Sequence, residues 1–195
     1  MIAIFFIFAF SLFFMYYYYE RIHYYDVQMV KSDINLKSYL VRDVPDKQAA
    51  ANMLAKIEMN MLKINDYLYK NKTKFPKHKN HIEQLNAKIK NSKIQESTDN
   101  GLYTSYSVNK GEQLVFCLRS RENGSNKLHD LNLLMYVVLH EMSHVACPEF
   151  GHTDLFKDIF EFIAQQAVKL GIYKKIDFNN NNREYCGLTI TDSII

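Results

Sequence analysis

Cysteine is scarce in this sequence. Only Cys117, Cys147 and Cys186 occur among 195 residues, an odd number with no C-x-x-C spacing. That pattern argues against a disulfide scaffold and against a cysteine-rich zinc ribbon, and it agrees with a reducing compartment. Charge is absent from residues 1–19, where Ile2 to Met15 is almost entirely Ile, Phe, Ala and Leu. A stretch of that length can span a bilayer as a helix. It lacks the basic flank and small-x-small cleavage site of a secretory signal. The expectation is therefore an uncleaved single-pass anchor over residues 1–19, with Tyr16 to Tyr19 as an interfacial belt. Basic residues lie only on its C-terminal side, at Arg21, Lys31, Lys37 and Arg42, which orients the following domain to the cytoplasm. Sequons at Asn71 and Asn123 test that orientation, because only a secretory lumen would glycosylate them. No internal repeat is present.

Beyond the anchor, residues 20–44 read as a tether with little regular structure, and residues 45–195 as one domain. Pro45 suits a first helical turn, with Asp43 as N-cap. Ala50, Met53, Leu54, Ile57, Met61, Ile64 and Leu68 then recur at three- and four-residue steps, predicting an amphipathic helix whose methionines fill core space. The region 45–95 is helical and basic. Lys70 to Lys93 holds eight lysines against one acid, Glu83, and Ile82, Leu85 and Ile89 mark a second short helix there. The ordinary reading is a solvated basic face. A functional reading is a surface for an anionic partner, lipid headgroup or nucleic acid, although no aromatic interleaving accompanies the charge. Residues 102–118 predict a β-hairpin around the Asn109-Lys110-Gly111-Glu112 loop.

The chemistry is concentrated in residues 130–171. Leu133 to Leu139 are seven apolar residues in a row, behind Asp130 as N-cap, which predicts a buried helix. It carries His140, Glu141 and His144 at H-E-x-x-H spacing and stops near Cys147, ahead of Pro148. Residues four apart share a helix face, so His140 and His144 can present two imidazole nitrogens to one metal ion. Glu141 is rotated aside, where its carboxylate can serve as general base toward a metal-bound water. With seven His and 21 acids, chance would produce this motif in about one per cent of such chains or fewer. A catalytic zinc site needs a third protein ligand and one open position. His152, after the Pro148 and Gly151 turn and at the mouth of the next helix, is the first choice. Asp154 and Glu161 follow, with Glu149 and Asp158 also in reach. The next helix starts at Thr153 or Asp154 and ends at Gly171, and residues 172–195 form a tail. Tyr185, Tyr173 and Arg183 are unranked candidates for oxyanion stabilisation.

The stretch HEMSHVACPEFGHTDLF, Leu102 to Gly171 more broadly, resembles the small zincin group of SprT-like and WLM (Wss1-like) metallopeptidases. In those families a third His is followed by an aromatic residue that starts a packing helix, as His152 and Phe156 are here. The resemblance implies a zinc peptidase with His140, His144 and His152 as ligands, Glu141 as base and an edge strand pairing with an extended polypeptide substrate. The His144 to His152 loop is longer than the WLM pattern, no SprT-type zinc ribbon follows, and the anchor belongs to neither family, so DNA-linked proteolysis is not carried over. The Lys- and Asn-rich composition resembles that of large DNA viruses. The expected fold is α+β: a mostly helical zincin-like mini-peptidase with a small β-hairpin or sheet, behind a transmembrane helix. The competing expectation is a non-catalytic, membrane-tethered helical scaffold that recruits a partner through its basic surface, with zinc structural or absent.

Overall fold

The computed structural model describes residues 8–18, 27–98 and 104–195. Five strands form one sheet: β1 (Val27–Lys31), β2 (Ser38–Arg42), β3 (Lys93–Glu96), β4 (Tyr106–Val108) and β5 (Gln113–Phe116), in spatial order β1-β2-β3-β5-β4. The pairs β2/β3 and β3/β5 are parallel, and antiparallel pairs flank them at both edges. A parallel pair needs a long crossover. For β2 and β3 it consists of α1 (Lys47–Lys70) and α2 (Lys79–Ile89). Two further helices, α3 (Leu131–Ala146) and α4 (Asp154–Lys169), follow the sheet, and a small hairpin, β6 (Arg183–Tyr185) with β7 (Leu188–Ile190), closes the chain.

The α+β class is as expected, but the sheet is larger than a hairpin. The tether expected over residues 20–44 is corrected from Val27 onward, because this segment is the first hairpin of the sheet. Two features hid it. β1 is an edge strand with Met29 59% exposed, so only Tyr39 and Val41 of β2 commit to the core. The turn between the strands places Leu36, not Gly or Asn, in the left-handed region at φ 61°. The turn is tied to α1 instead: Asn52 Oδ1 accepts from the Ser32 hydroxyl (2.8 Å) and from the Asp33 backbone N–H (2.9 Å). Residues 20–26 lie outside the described residues.

The helices follow their periodicity. Ala50, Leu54, Ile57, Met61, Ile64 and Leu68 of α1 and Ile82, Leu85 and Ile89 of α2 are buried. The start of α1 differs from expectation: the N-cap is Asp46, not Asp43, and its side chain makes no cap hydrogen bond. Its carboxylate accepts from Arg119 Nη1 at 2.6 and 2.7 Å. Arg119, 2% exposed, also donates through Nε to Glu96 Oε1 (2.7 Å), and Glu96 Oε2 accepts the Arg42 backbone N–H (2.8 Å). This ionic network joins the sheet centre to the start of α1.

Residues 8–18 are helical, with Phe8, Phe10, Phe13, Phe14 and Met15 exposed. Among the described residues no helix is long and apolar enough to cross a membrane. The first seven residues of the expected anchor, and Tyr19, lie outside the described residues. The expectation from cysteine spacing is overturned: Cys117 and Cys186 are joined in a disulfide, and Cys147 is the buried free thiol. The partners are 69 residues apart. They meet only because the β6–β7 hairpin folds against the end of β5, which no local spacing rule can reveal.

Candidate metal centre

Asp130 starts α3 by accepting the Leu133 backbone N–H (3.0 Å), and Leu133 to Leu139 are all buried. The core therefore fixes the rotation of this helix, and its next turn meets a cleft. His140 and His144 stand one above the other on the cleft side. The helix ends at Ala146 with Cys147 as C-cap, ahead of Pro148. Gly151, at φ 79°, turns the chain back, and Thr153 caps α4 by accepting the Phe156 backbone N–H. This return brings His152 to the two helical imidazoles.

The three Nε2 atoms form a triangle of 3.1 Å (His140–His144), 3.2 Å (His144–His152) and 3.0 Å (His140–His152). Three nitrogens bound to one tetrahedral zinc at 2.0–2.1 Å would stand about 3.3 Å apart. The donor set thus fits such an ion with shifts of a few tenths of an ångström. Burial and the neighbouring imidazoles of His144 and His152 push the His140 pKa down to about 3. Burial, His152 and Lys110 push that of His144 to about 4. At neutral pH both rings are uncharged and present lone pairs, as a cation requires. Phe156 lies beneath all three, stacked on His144 (4.2 Å between centroids) and edge-on to His140 and His152 (5.0 and 4.9 Å). The aromatic residue four places after His152 is thus the floor of the cluster.

Glu141 is 5% exposed yet lines the cleft, and burial pushes its pKa up to about 7. The cleft, about 450 Å³, has as its opposite wall Ser105 and the β4 residues Tyr106 and Ser107. The enclosed Ser107 Oγ has no partner among the described residues. Its rim carries Phe150, 84% exposed beneath the ammonium of Lys110 (4.3 Å to the ring). Lys110 also donates to the carbonyls of Cys147 (2.9 Å) and Glu149, bracing the loop that delivers His152.

The other expected ligands are engaged elsewhere. Asp154 is fully exposed beside Lys157, and Asp158 pairs with Lys77. Glu161 accepts from Gln165, and Glu149 from Thr153. None of the three oxyanion candidates lines the cleft. Tyr173 is buried against Tyr136, and Arg183 is exposed on β6. Tyr185 comes nearest. Its hydroxyl lies 2.5 Å from Ser105 Oγ and donates to the Cys117 carbonyl (2.9 Å), directly behind the cleft wall. Sequence reasoning had assigned no role to Ser105, Ser107, Lys110 or Phe150. An apolar Phe between Pro148 and Gly151 was the available signal for the last.

No known protein-family profile matches the chain. It is 46% identical over 170 residues to "Uncharacterized protein R325" of Acanthamoeba polyphaga mimivirus, across 87% of this chain and 85% of that protein. Two iridescent virus proteins match over 69 residues, or 35% of this chain: 136R of Invertebrate iridescent virus 6 at 39% identity and 042R of Invertebrate iridescent virus 3 at 41%. Those matches span 38% and 42% of the two proteins. Among solved structures, a Wss1 mutant from Saccharomyces cerevisiae aligns over 68% of this chain and 92% of its own, at TM-score 0.47 and 17% identity. The relatives are viral, which supports the large-DNA-virus character read in the composition. At 46% identity over most of both lengths, the chain belongs to the same family as the mimivirus protein R325.

Proposed function

We propose that the chain is a zinc-dependent peptidase. His140, His144 and His152 would hold Zn2+, and Glu141 would act as general base. The observation that carries this reading is the convergence of three imidazole nitrogens within 3.2 Å of one another, beside a buried carboxyl, in a cleft walled by an edge strand. Zinc held there would supply Lewis acidity, lowering the pKa of a coordinated water and polarising a carbonyl oxygen. The residues of this chain do the rest. β4 lies at the sheet edge facing the cleft, so an extended polypeptide can add to it through main-chain hydrogen bonds. That pairing would hold the substrate carbonyl over the histidines. Glu141, with its pKa near neutrality, can take a proton from the attacking water and return it to the leaving amine.

The deciding experiment pairs metal analysis with cleavage of an unfolded protein. The purified chain should carry zinc at the histidine site and cut the substrate. Glu141→Gln should keep the metal and lower kcat at least about a hundredfold. Activity surviving that change would sink the mechanism.

The apolar side chains exposed on residues 8–18 support a further part of the proposal, a single-pass membrane attachment with the catalytic domain on the cytoplasmic side. Glycans on Asn71 or Asn123 after expression in a eukaryotic cell would reverse that orientation. The exposed Lys70, Lys74 and Lys79 favour a second reading, a tethered scaffold that recruits an anionic partner such as a lipid headgroup or nucleic acid. Binding through these lysines should weaken steeply with salt, and indifference to salt would count against it.

A further inference from the structure

A second cluster of ligand chemistry lies outside the cleft and does not depend on the peptidase reading. Cys117, just after β5, and Cys186, in the turn of the β6–β7 hairpin, are buried, and so is His129 beside Cys186. His129 Nε2 is 3.6 Å from Cys186 Sγ and accepts the Cys186 backbone N–H at 3.3 Å. Accepting that N–H makes Nε2 the unprotonated ring nitrogen, so Nδ1 carries the proton and Nε2 is the ring's donor atom toward a metal. Glu184 Oε2 stands 4.0 Å from the same Nε2, and its other oxygen accepts the Gly187 backbone N–H (2.7 Å).

We propose that Cys117, Cys186 and His129, with Glu184 as fourth ligand, form a zinc site in the reduced chain, at the place where the oxidised chain holds its disulfide. Two thiolates, an imidazole and a carboxylate make a tetrahedral set suited to Zn2+. At a zinc ion bound by sulfur at 2.3 Å and nitrogen at 2.0–2.1 Å, the sulfur-to-nitrogen separation is about 3.6 Å. The Cys186 to His129 distance already has that value. The sulfurs must separate to about 3.8 Å. The short terminal hairpin that carries Cys186 can absorb this shift.

The chemistry balances with a dithiol as reductant. It gives two electrons and two protons to the disulfide, freeing two thiols, and closes into its own disulfide. Binding of Zn2+ then releases the two thiol protons to water. In either state one covalent or coordinate clip holds the hairpin against β5. The hairpin carries Tyr185, whose hydroxyl supports Ser105 at the cleft wall. The clip therefore keeps that wall in place on both sides of a redox boundary.

Cobalt(II), added alone to the full chain in oxidised form and after phosphine reduction, tests the site. The reduced chain should bind one more cobalt than the oxidised chain. It should also show a thiolate-to-cobalt charge-transfer absorption that a three-histidine site cannot produce. Cys186→Ser should abolish that band, Cys147→Ala should leave it, and His129→Ala should weaken the affinity by about tenfold or more. Equal stoichiometry in the two redox states with no thiolate band would overturn the proposal. So would a band that follows Cys147 rather than Cys186. Should a variant fail to fold, the oxidised and reduced wild-type chains still decide the matter.

Discussion

At the residue scale, position relative to the core decides which side chains can do chemistry. His152 and Asp154 are two residues apart, and both were candidate third ligands. Gly151 and the Thr153 cap aim the first into the cleft and leave the second in water beside Lys157. His152→Ala should therefore lower zinc affinity by more than about a hundredfold, beyond the loss of an outer partner, whereas Asp154→Ala should leave it unchanged. A competitive chelator titration reads both. His78 shows the same dependence on burial. Its ring stacks on Phe162 (4.1 Å), and burial lowers its pKa despite the opposing pull of Asp158. Between the ordinary value of about 6.5 and the lower folded value, the unfolded chain takes up a proton that the folded chain refuses. Stability should fall as pH drops through that window and be fully present above it. Urea titrations from pH 7.5 to 5 should show a shallower decline for His78→Phe, and an unchanged slope would refute the assignment.

At the element scale, the β4–β5 turn and α3 are built as one unit. Asn109 and Lys110 both adopt positive φ, and Gly111 sits at φ 103° with Val145 against its Cα. A Cβ on Gly111 would stand 2.8 Å from Val145 Cγ1, on a backbone conformation that L-residues avoid. Gly111→Ala should destabilise the fold by more than about 1 kcal/mol. Adding Val145→Ala should relieve the clash but not the backbone strain, so recovery in thermal unfolding should be partial. Full recovery would show that the conformation itself is cheap. The elements differ in how openly their residues announce them. α1, α2, α3 and α4 each follow a 3.6-residue apolar period or an unbroken buried run, and caps at Asp130 and Thr153 mark two of their starts. β1 and β2 announce little, because β1 is a half-exposed edge strand and the left-handed turn position between them holds Leu36 where a tight hairpin would signal with Gly or Asn.

At the scale of the whole molecule, the ionic network of Arg119, Glu96 and Asp46 ties together segments far apart in the chain. Arg119→Ala would leave Glu96 buried without its guanidinium, at a cost of about 3–5 kcal/mol. Chemical denaturation should show that loss, and a change under 1 kcal/mol would mean that water reaches the carboxylate.

By itself the sequence determined the helices, the H-E-x-x-H face and the first choice of third ligand. Each depends on residues within about a dozen positions of one another, and helical period and caps are local physics. The hairpin around Asn109 to Glu112 was legible too, and tertiary structure decided the long-range meetings. It paired Cys117 with Cys186, set His129 beside them, put Ser105 and Ser107 across from Glu141, and moved the tether into the sheet. These are meetings of segments tens of residues apart, chosen by which apolar faces bury one another, and no spacing along the chain encodes them. The stretch from Leu133 to Phe160 could be read as a metal-binding helix from its residues, but the cleft it faces exists only once β4 lies across from it.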